Sequence, residues 1–181
     1  MSDIRQELSD LQNLQGTDFV RQLKQITSRK EFRPLASDPD IFSVGGDDDA
    51  DFPRLLDAAR KAVEHGYKVY LLPNPHGIRT ADFIFVRKGV YKLYDLKTIT
   101  GANSIGNRLQ DSIGQTNRVL LSITTEYNPI ALARNIRRYF EKNPQAVEVL
   151  VYKGRKSISV LRDETVNGES FFKYFVAKYV Q

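Results

Sequence analysis

Apolar residues recur along this chain at two spacings, and the switches between them mark its elements. Ile4, Leu8 and Leu11 stand at i, i+4 and i+7 and predict a short helix. Phe19, Val20, Leu23 and Ile26 predict a second helix, starting after Thr17-Asp18. Residues 33–51 are rich in Pro, Gly and Asp and read as an irregular connector, where the run Asp47-Asp48-Asp49 solvates a loop. The next helix has the fullest set of signals. Asp51 is available to cap it, Pro53 suits its first turn, and Gly66 stands just past its end. Leu55, Leu56, Ala59, Ala62 and Val63 form its apolar face. Lys68–Leu72 then reads as a strand stopped by Pro73, and 73–80 as a loop holding His76, a surface residue on this reading.

Two strands follow, Asp82–Val86 and Val90–Lys97, with Gly89 able to take a positive φ between them. Alternation puts Tyr91, Leu93, Asp95 and Lys97 on one face. If Lys88-Gly89 is a two-residue loop, Arg87 faces Val90, and counting back sets Asp82 opposite Asp95. A three-residue loop with a bulge shifts that register by one. A helix carrying Ile105, Leu109 and Ile113 comes next, with Asn103 or Ser104 as its cap, and then an apolar strand, Arg118–Ile123. Pro129–Lys142 is a strongly amphipathic helix, with Leu132, Ile136, Tyr139 and Phe140 on one side. Val147–Tyr152 and Ser157–Leu161 form a second hairpin, whose Lys153, Arg155 and Lys156 read as a solubilising turn. Glu169–Val180 is a closing helix. The pattern predicts a mixed α/β (α+β) fold with a mixed central sheet. Residues 53–123 give an αβββαβ core, preceded by N-terminal helices and followed by an αββα extension. Residues 1–50 are expected to be helices and connector, and 51–181 a single domain.

Composition narrows the function classes. The chain has 181 residues, enough for one domain with a sizeable core. No apolar run is long enough to span a membrane, and the polar N-terminus lacks the apolar core of a signal peptide. The absence of cysteine excludes disulfides, thiolate metal sites and a cysteine nucleophile, and fits a cytoplasmic site of action. Two histidines are too few for a multi-histidine zinc site. The net charge of +5 is unevenly spread. Residues 1–82 hold 11 Lys/Arg against 14 Asp/Glu, and residues 83–181 hold 16 against 8. The basic part suits a polyanion such as nucleic acid, or an acidic protein partner.

The chemistry concentrates at the first hairpin. Asp82 and Asp95 bring two hard carboxylates to one end of it, which suits Mg²⁺ or Mn²⁺. Lys97 adds an ammonium that can offset charge growing on a phosphate. The plainer alternative is a strand-opening Asp82 and an exposed Asp95/Lys97 ion pair. Arg134, Arg137 and Arg138 lie largely on the polar side of their helix and, with Arg108, are candidates to follow a nucleic-acid backbone.

Asp82 followed by Asp95-Leu96-Lys97, on consecutive strands in an αβββαβ order, resembles the PD-(D/E)xK nuclease superfamily. Ala81 stands where that motif has its proline. Two further stretches, Leu55–Val69 and Gly114-Gln115-Thr116-Asn117-Arg118-Val119-Leu120-Leu121, look like parts of contact-dependent growth inhibition toxin nucleases. Many members of that family cleave tRNA. The resemblance implies a metal-dependent nuclease acting on RNA, with tRNA favoured over DNA. It also implies delivery into a target bacterium and a cognate immunity protein. Gln115 would position substrate or a metal-bound water, or else bond to the backbone at the helix end, and Arg118 would meet a phosphate or stack on a base, or else tether the second helix to an acidic neighbour. The family's early helix glutamate is missing near Leu55, so Asp57 or Glu64 must supply that acid, or the site works with fewer carboxylates than its relatives. No lysine lies on Leu109–Ile113, which leaves Lys97 for the lysine's role. A DNA nuclease of a phage or mobile element, and a non-catalytic nucleic-acid-binding or phage structural module, are the other readings of the same residues.

Overall fold

A computed structural model of the chain describes residues 3–45, 51–75, 77–101, 105–112, 116–166, 168 and 170–181. Among these it has seven α-helices and eight strands, in a mixed α/β arrangement. The chain forms two compact units, Met1–Asp95 and Leu96–Gln181. The division falls inside a strand.

The first unit begins with α1 (Ile4–Asp10), a 3-10 turn and α2 (Gly16–Thr27). Asp3 caps α1, its side chain accepting from the Arg5 amide at 3.2 Å. The segment read as an irregular connector contains two strands, β1 (Arg33–Pro34) and β2 (Ile41–Ser43). β2 is too short to show a period of two. It exists because Ile41 is fully buried and the strand pairs parallel with β3 (Lys68–Leu71). Phe42 stacks on its register partner Tyr70 at 4.7 Å between ring centroids. α3 (Phe52–Glu64) buries Ala58, Ala59 and Ala62, and Gly66 beyond its end has φ 89°. The expected Asp51 cap does not form: Asp51 is in the αR region and its carboxylate pairs with Arg54 instead.

β3 pairs antiparallel with β4 (Phe83–Arg87), and β4 with β5 (Val90–Ile99). Ile84 and Leu93 share a core with Leu8, Leu11, Leu23 and Ile26. The N-terminal helices therefore cover one face of this sheet and are part of the first unit, not an appendage. Phe83, Phe85 and Tyr94 project the other way as a ring cluster, with Phe85 to Tyr94 at 4.8 Å.

The second unit runs from the end of β5 through α4 (Ile105–Asp111), β6 (Arg118–Ile123), α5 (Pro129–Lys142), β7 (Glu148–Lys153), β8 (Lys156–Leu161), α6 (Arg162–Val166) and α7 (Phe171–Val180). β6 and β7 are parallel, with α5 as the crossover, and β8 returns antiparallel to β7. Asn128 caps α5 by accepting from the amides of Ile130 and Ala131 at 2.9 and 3.1 Å. Val119, Leu121, Val149, Val151, Ile158 and Val160 form one sheet face against Leu109, Ile136, Phe140 and Phe175 of α4, α5 and α7. The β7–β8 turn is more than a solubilising tip. The Lys153 and Lys156 ammonium groups donate to the carbonyls of Thr125 at 2.8 Å and Tyr179 at 2.7 Å.

Candidate active site

The β4–β5 hairpin turns on Lys88 and Gly89, both at positive φ (50° and 75°). That is the two-residue geometry that matches the twist of the strands it joins. Register then follows as the loop length requires: Arg87 faces Val90, Val86 faces Tyr91, and Phe83 faces Tyr94. Arg87 fastens the turn to the α3–β3 corner. Its guanidinium lies 4.2 Å from the Tyr67 ring centroid and donates to the His65 carbonyl at 3.0 Å.

At the far end of the hairpin the ladder slips by one. Asp82 lies just before β4, in a bend, and its amide donates to the Tyr94 carbonyl at 3.0 Å. Tyr94 is already the partner of Phe83, so two residues of one strand address one of the other, as in a bulge. Asp82 therefore meets the residue before Asp95 and is not its plain ladder partner. The two carboxylates still belong to the same end of the hairpin. Asp95 is 2% exposed and Asp82 is half-buried. A carboxylate as enclosed as Asp95 has to be satisfied by a cation or by hydrogen-bond donors. Lys97 lies two residues further along β5, half-buried.

The helix-borne acid is not delivered to this end. Asp57 is exposed and pairs with Lys61 at 3.4 Å, and Glu64 is exposed at the last position of α3. Among the described residues no group of three or more His, Cys, Asp or Glu is placed to hold a metal ion. The donor set on hand is the pair Asp82 and Asp95. Such a pair fits Mg²⁺, which commonly takes one or two carboxylates and keeps several waters.

The remaining candidates separate. Gln115 lies outside the described residues, as do His76, Asn103, Ser104 and Asp47–Asp49. Arg118 meets an acidic neighbour, but the contact joins β6 to β7 and not a helix. It pairs at 2.5 Å with Glu148, which is 1% exposed and also accepts from the Ser159 hydroxyl at 2.6 Å. Arg137 is drawn off the expected basic face, meeting Glu141 at 3.3 Å and lying over the Phe172 ring. Arg134 and Arg138 are exposed, and Lys142 continues their row at the same spacing of four. None of these three, nor the exposed Arg108 on α4, forms an ion pair among the described residues. The cationic row is thus Arg134, Arg138 and Lys142. Its spacing stood in the sequence; Lys142 was missed because it closes the helix.

No family model matches the chain, and no curated protein matches it at a significant level. Among solved structures the chain is similar to one described as a CdiA-CT/CdiI toxin and immunity complex from Burkholderia pseudomallei. The identity is 18%, the match covers 65% of this chain and 92% of that one, and the TM-score is 0.44.

Proposed function

We propose that this chain is a metal-dependent endonuclease that cleaves RNA, tRNA above other substrates, and acts as a bacterial toxin domain. The observation that supports this most is the Asp82/Asp95 pair at one end of an antiparallel hairpin, with Asp95 enclosed at 2% exposure. Asp82 and Asp95 would hold Mg²⁺ or Mn²⁺, which supplies Lewis acidity toward the phosphate and lowers the pKa of a bound water. Burial fixes the Asp95 carboxylate in one position and keeps bulk water from competing for it. Asp82 enters from a bend, so its approach is set by the backbone bond to Tyr94. Lys97 offsets negative charge that grows on the phosphoryl oxygens. Residues 96–181 carry 13 Lys/Arg against 7 Asp/Glu, a field that draws a polyanion to this chain. The choice of tRNA, delivery into a target bacterium and an acidic immunity partner rest on the sequence resemblance of Leu55–Val69 and Gly114–Leu121.

One observation favours a second reading, a nucleic-acid-binding module without turnover: Asp57 and Glu64 are both exposed and no third acid joins the pair among the described residues. A single assay separates the readings. The pure protein is incubated with total tRNA or plasmid, with Mg²⁺ or Mn²⁺ or with EDTA. Cleavage of tRNA is expected with metal and not with EDTA. Asp95→Asn should lose activity while keeping its melting temperature, and Lys97→Ala should lose about a hundredfold. Plasmid cleavage with intact tRNA would indicate a DNA nuclease. Cleavage of neither substrate with any divalent metal would overturn the enzyme reading.

A further inference from the structure

Between α4 and α5 lies a cleft of about 200 Å³ that the nuclease chemistry does not use. It is lined by Asn107 and Gln110 of α4, by Asn135, Arg138 and Lys142 of α5, and by Asn143 just beyond. No carboxylate lines it among the described residues, so four carboxamides and two cations face one space. One of the amides is already oriented. The Asn135 Nδ2 donates to the Ala131 carbonyl at 2.9 Å, which leaves Oδ1 to accept. That oxygen stands 3.4 Å from where a Cβ on Gly106 would be, so glycine on α4 keeps the approach open. The Asn143 Nδ2 is buried with no hydrogen-bond partner. A buried donor left unmade is costly, and since Asn143 lines the cleft half-buried, a turn of its side chain would let an acceptor bound there satisfy it. Arg138 and Lys142 have no ion-pair partner among the described residues.

We propose that this cleft binds one nucleotide unit of a single-stranded RNA. Its base edge would lie against the carboxamides and its phosphate on Arg138 and Lys142. A carboxamide presents a donor and an acceptor side by side, the pattern that base edges answer. Guanidinium and ammonium groups suit a phosphate. An acidic peptide or an inorganic anion would use the two cations and leave Asn135 Oδ1 and Asn143 Nδ2 unanswered. This inference rests on the reading of the chain as a protein that acts on RNA, and it adds a contact for that RNA on α4 and α5.

The test uses the full chain in EDTA, titrated with the four ribonucleoside 5′-monophosphates, ribose 5-phosphate, inorganic phosphate and a poly-glutamate peptide. Binding is read by calorimetry and by amide NMR shifts. At least one nucleotide should bind about tenfold or more tighter than phosphate, shifting resonances of Gly106–Gln110 and Asn135–Asn143. Asn143→Asp removes the donor, repels phosphate and keeps its size. It should weaken the nucleotide about tenfold in the folded variant, whose melting temperature a part-buried carboxylate lowers. Arg138→Ala with Lys142→Ala should abolish binding, and Arg21→Ala, at an exposed cation on α2, should not. Phosphate or the peptide binding as tightly as any nucleotide would overturn the proposal, as would an Asn143→Asp variant that binds like the parent. Cleavage of RNA without nucleotide binding removes the cleft and keeps the nuclease. Nucleotide binding without cleavage does the reverse.

Discussion

Asp38 and Arg60 meet through two parallel hydrogen bonds, 3.0 Å from Nε and 2.9 Å from the terminal nitrogen. The Arg60 guanidinium, helped by the Ser37 hydroxyl, holds the Asp38 carboxyl below the usual carboxylate range. The sign of the pH dependence follows. A folded pKa below the unfolded value gives stability that is present above about pH 4, and is lost as pH falls through the lower folded value. Arg60→Ala should therefore melt below the parent at neutral pH, and the gap should close in acid. Melting curves across that range check it; a gap that stays constant in acid would show that packing, not charge, carries the effect. Residue identity was readable at Asp82, Asp95 and Lys97 because carboxylate and ammonium chemistry is written in the side chain. The fate of Asp57 and Glu64 was not, because exposure on α3 is decided by which strands the helix lies against. The carboxamides of the α4–α5 cleft were equally silent, since Asn and Gln mark neither a hydrophobic period nor a charge.

At the scale of elements, the Lys88-Gly89 turn sets the hairpin that carries both aspartates. Nothing lies within 4 Å of a Cβ added at Gly89, so any cost of substitution there is backbone cost at φ 75°. Gly89→Val should destabilise the protein by about 1–2 kcal/mol, the scale of a β-branched residue in a left-handed conformation. Urea denaturation would show it as a lower midpoint at unchanged slope. An unchanged midpoint would mean that the turn does not hold a positive φ. The loop length, and with it the pairing from Phe83 to Arg87, was legible from Gly89 and the flanking apolar runs. The slip at Asp82 was not, because a bulge is a hydrogen-bonding choice between Tyr94 and its neighbour and leaves no mark on alternation. β1 and β2 escaped for a related reason: strands of two and three residues are made by their neighbours.

For the whole molecule, charge is the property with the longest reach. Residues 1–95 hold 14 Lys/Arg against 15 Asp/Glu, while residues 96–181 hold 13 against 7. Each cation that neutralises a phosphate of a single strand contributes about 0.7 to the slope of log affinity against log salt. Removing Arg134, Arg138 and Lys142 together should lower that slope by about 2. Filter binding of RNA at several salt concentrations reads this directly, and an unchanged slope would place the phosphates elsewhere. The charge asymmetry was visible in the sequence. The division at Asp95/Leu96 was not, because β5 runs through it with no turn residue to mark it. Glu148, with Arg118 and Ser159 around it, bears on how the second unit assembles. β6 and β7 can pair only after α5 has crossed between them, a non-local step made late and at some risk of misalignment. A closure one residue out of step would carry this carboxylate to the opposite face and bury it alone, at a cost of several kcal/mol. The side chain thus sets a penalty on the misaligned sheet that the correctly matched strands do not carry.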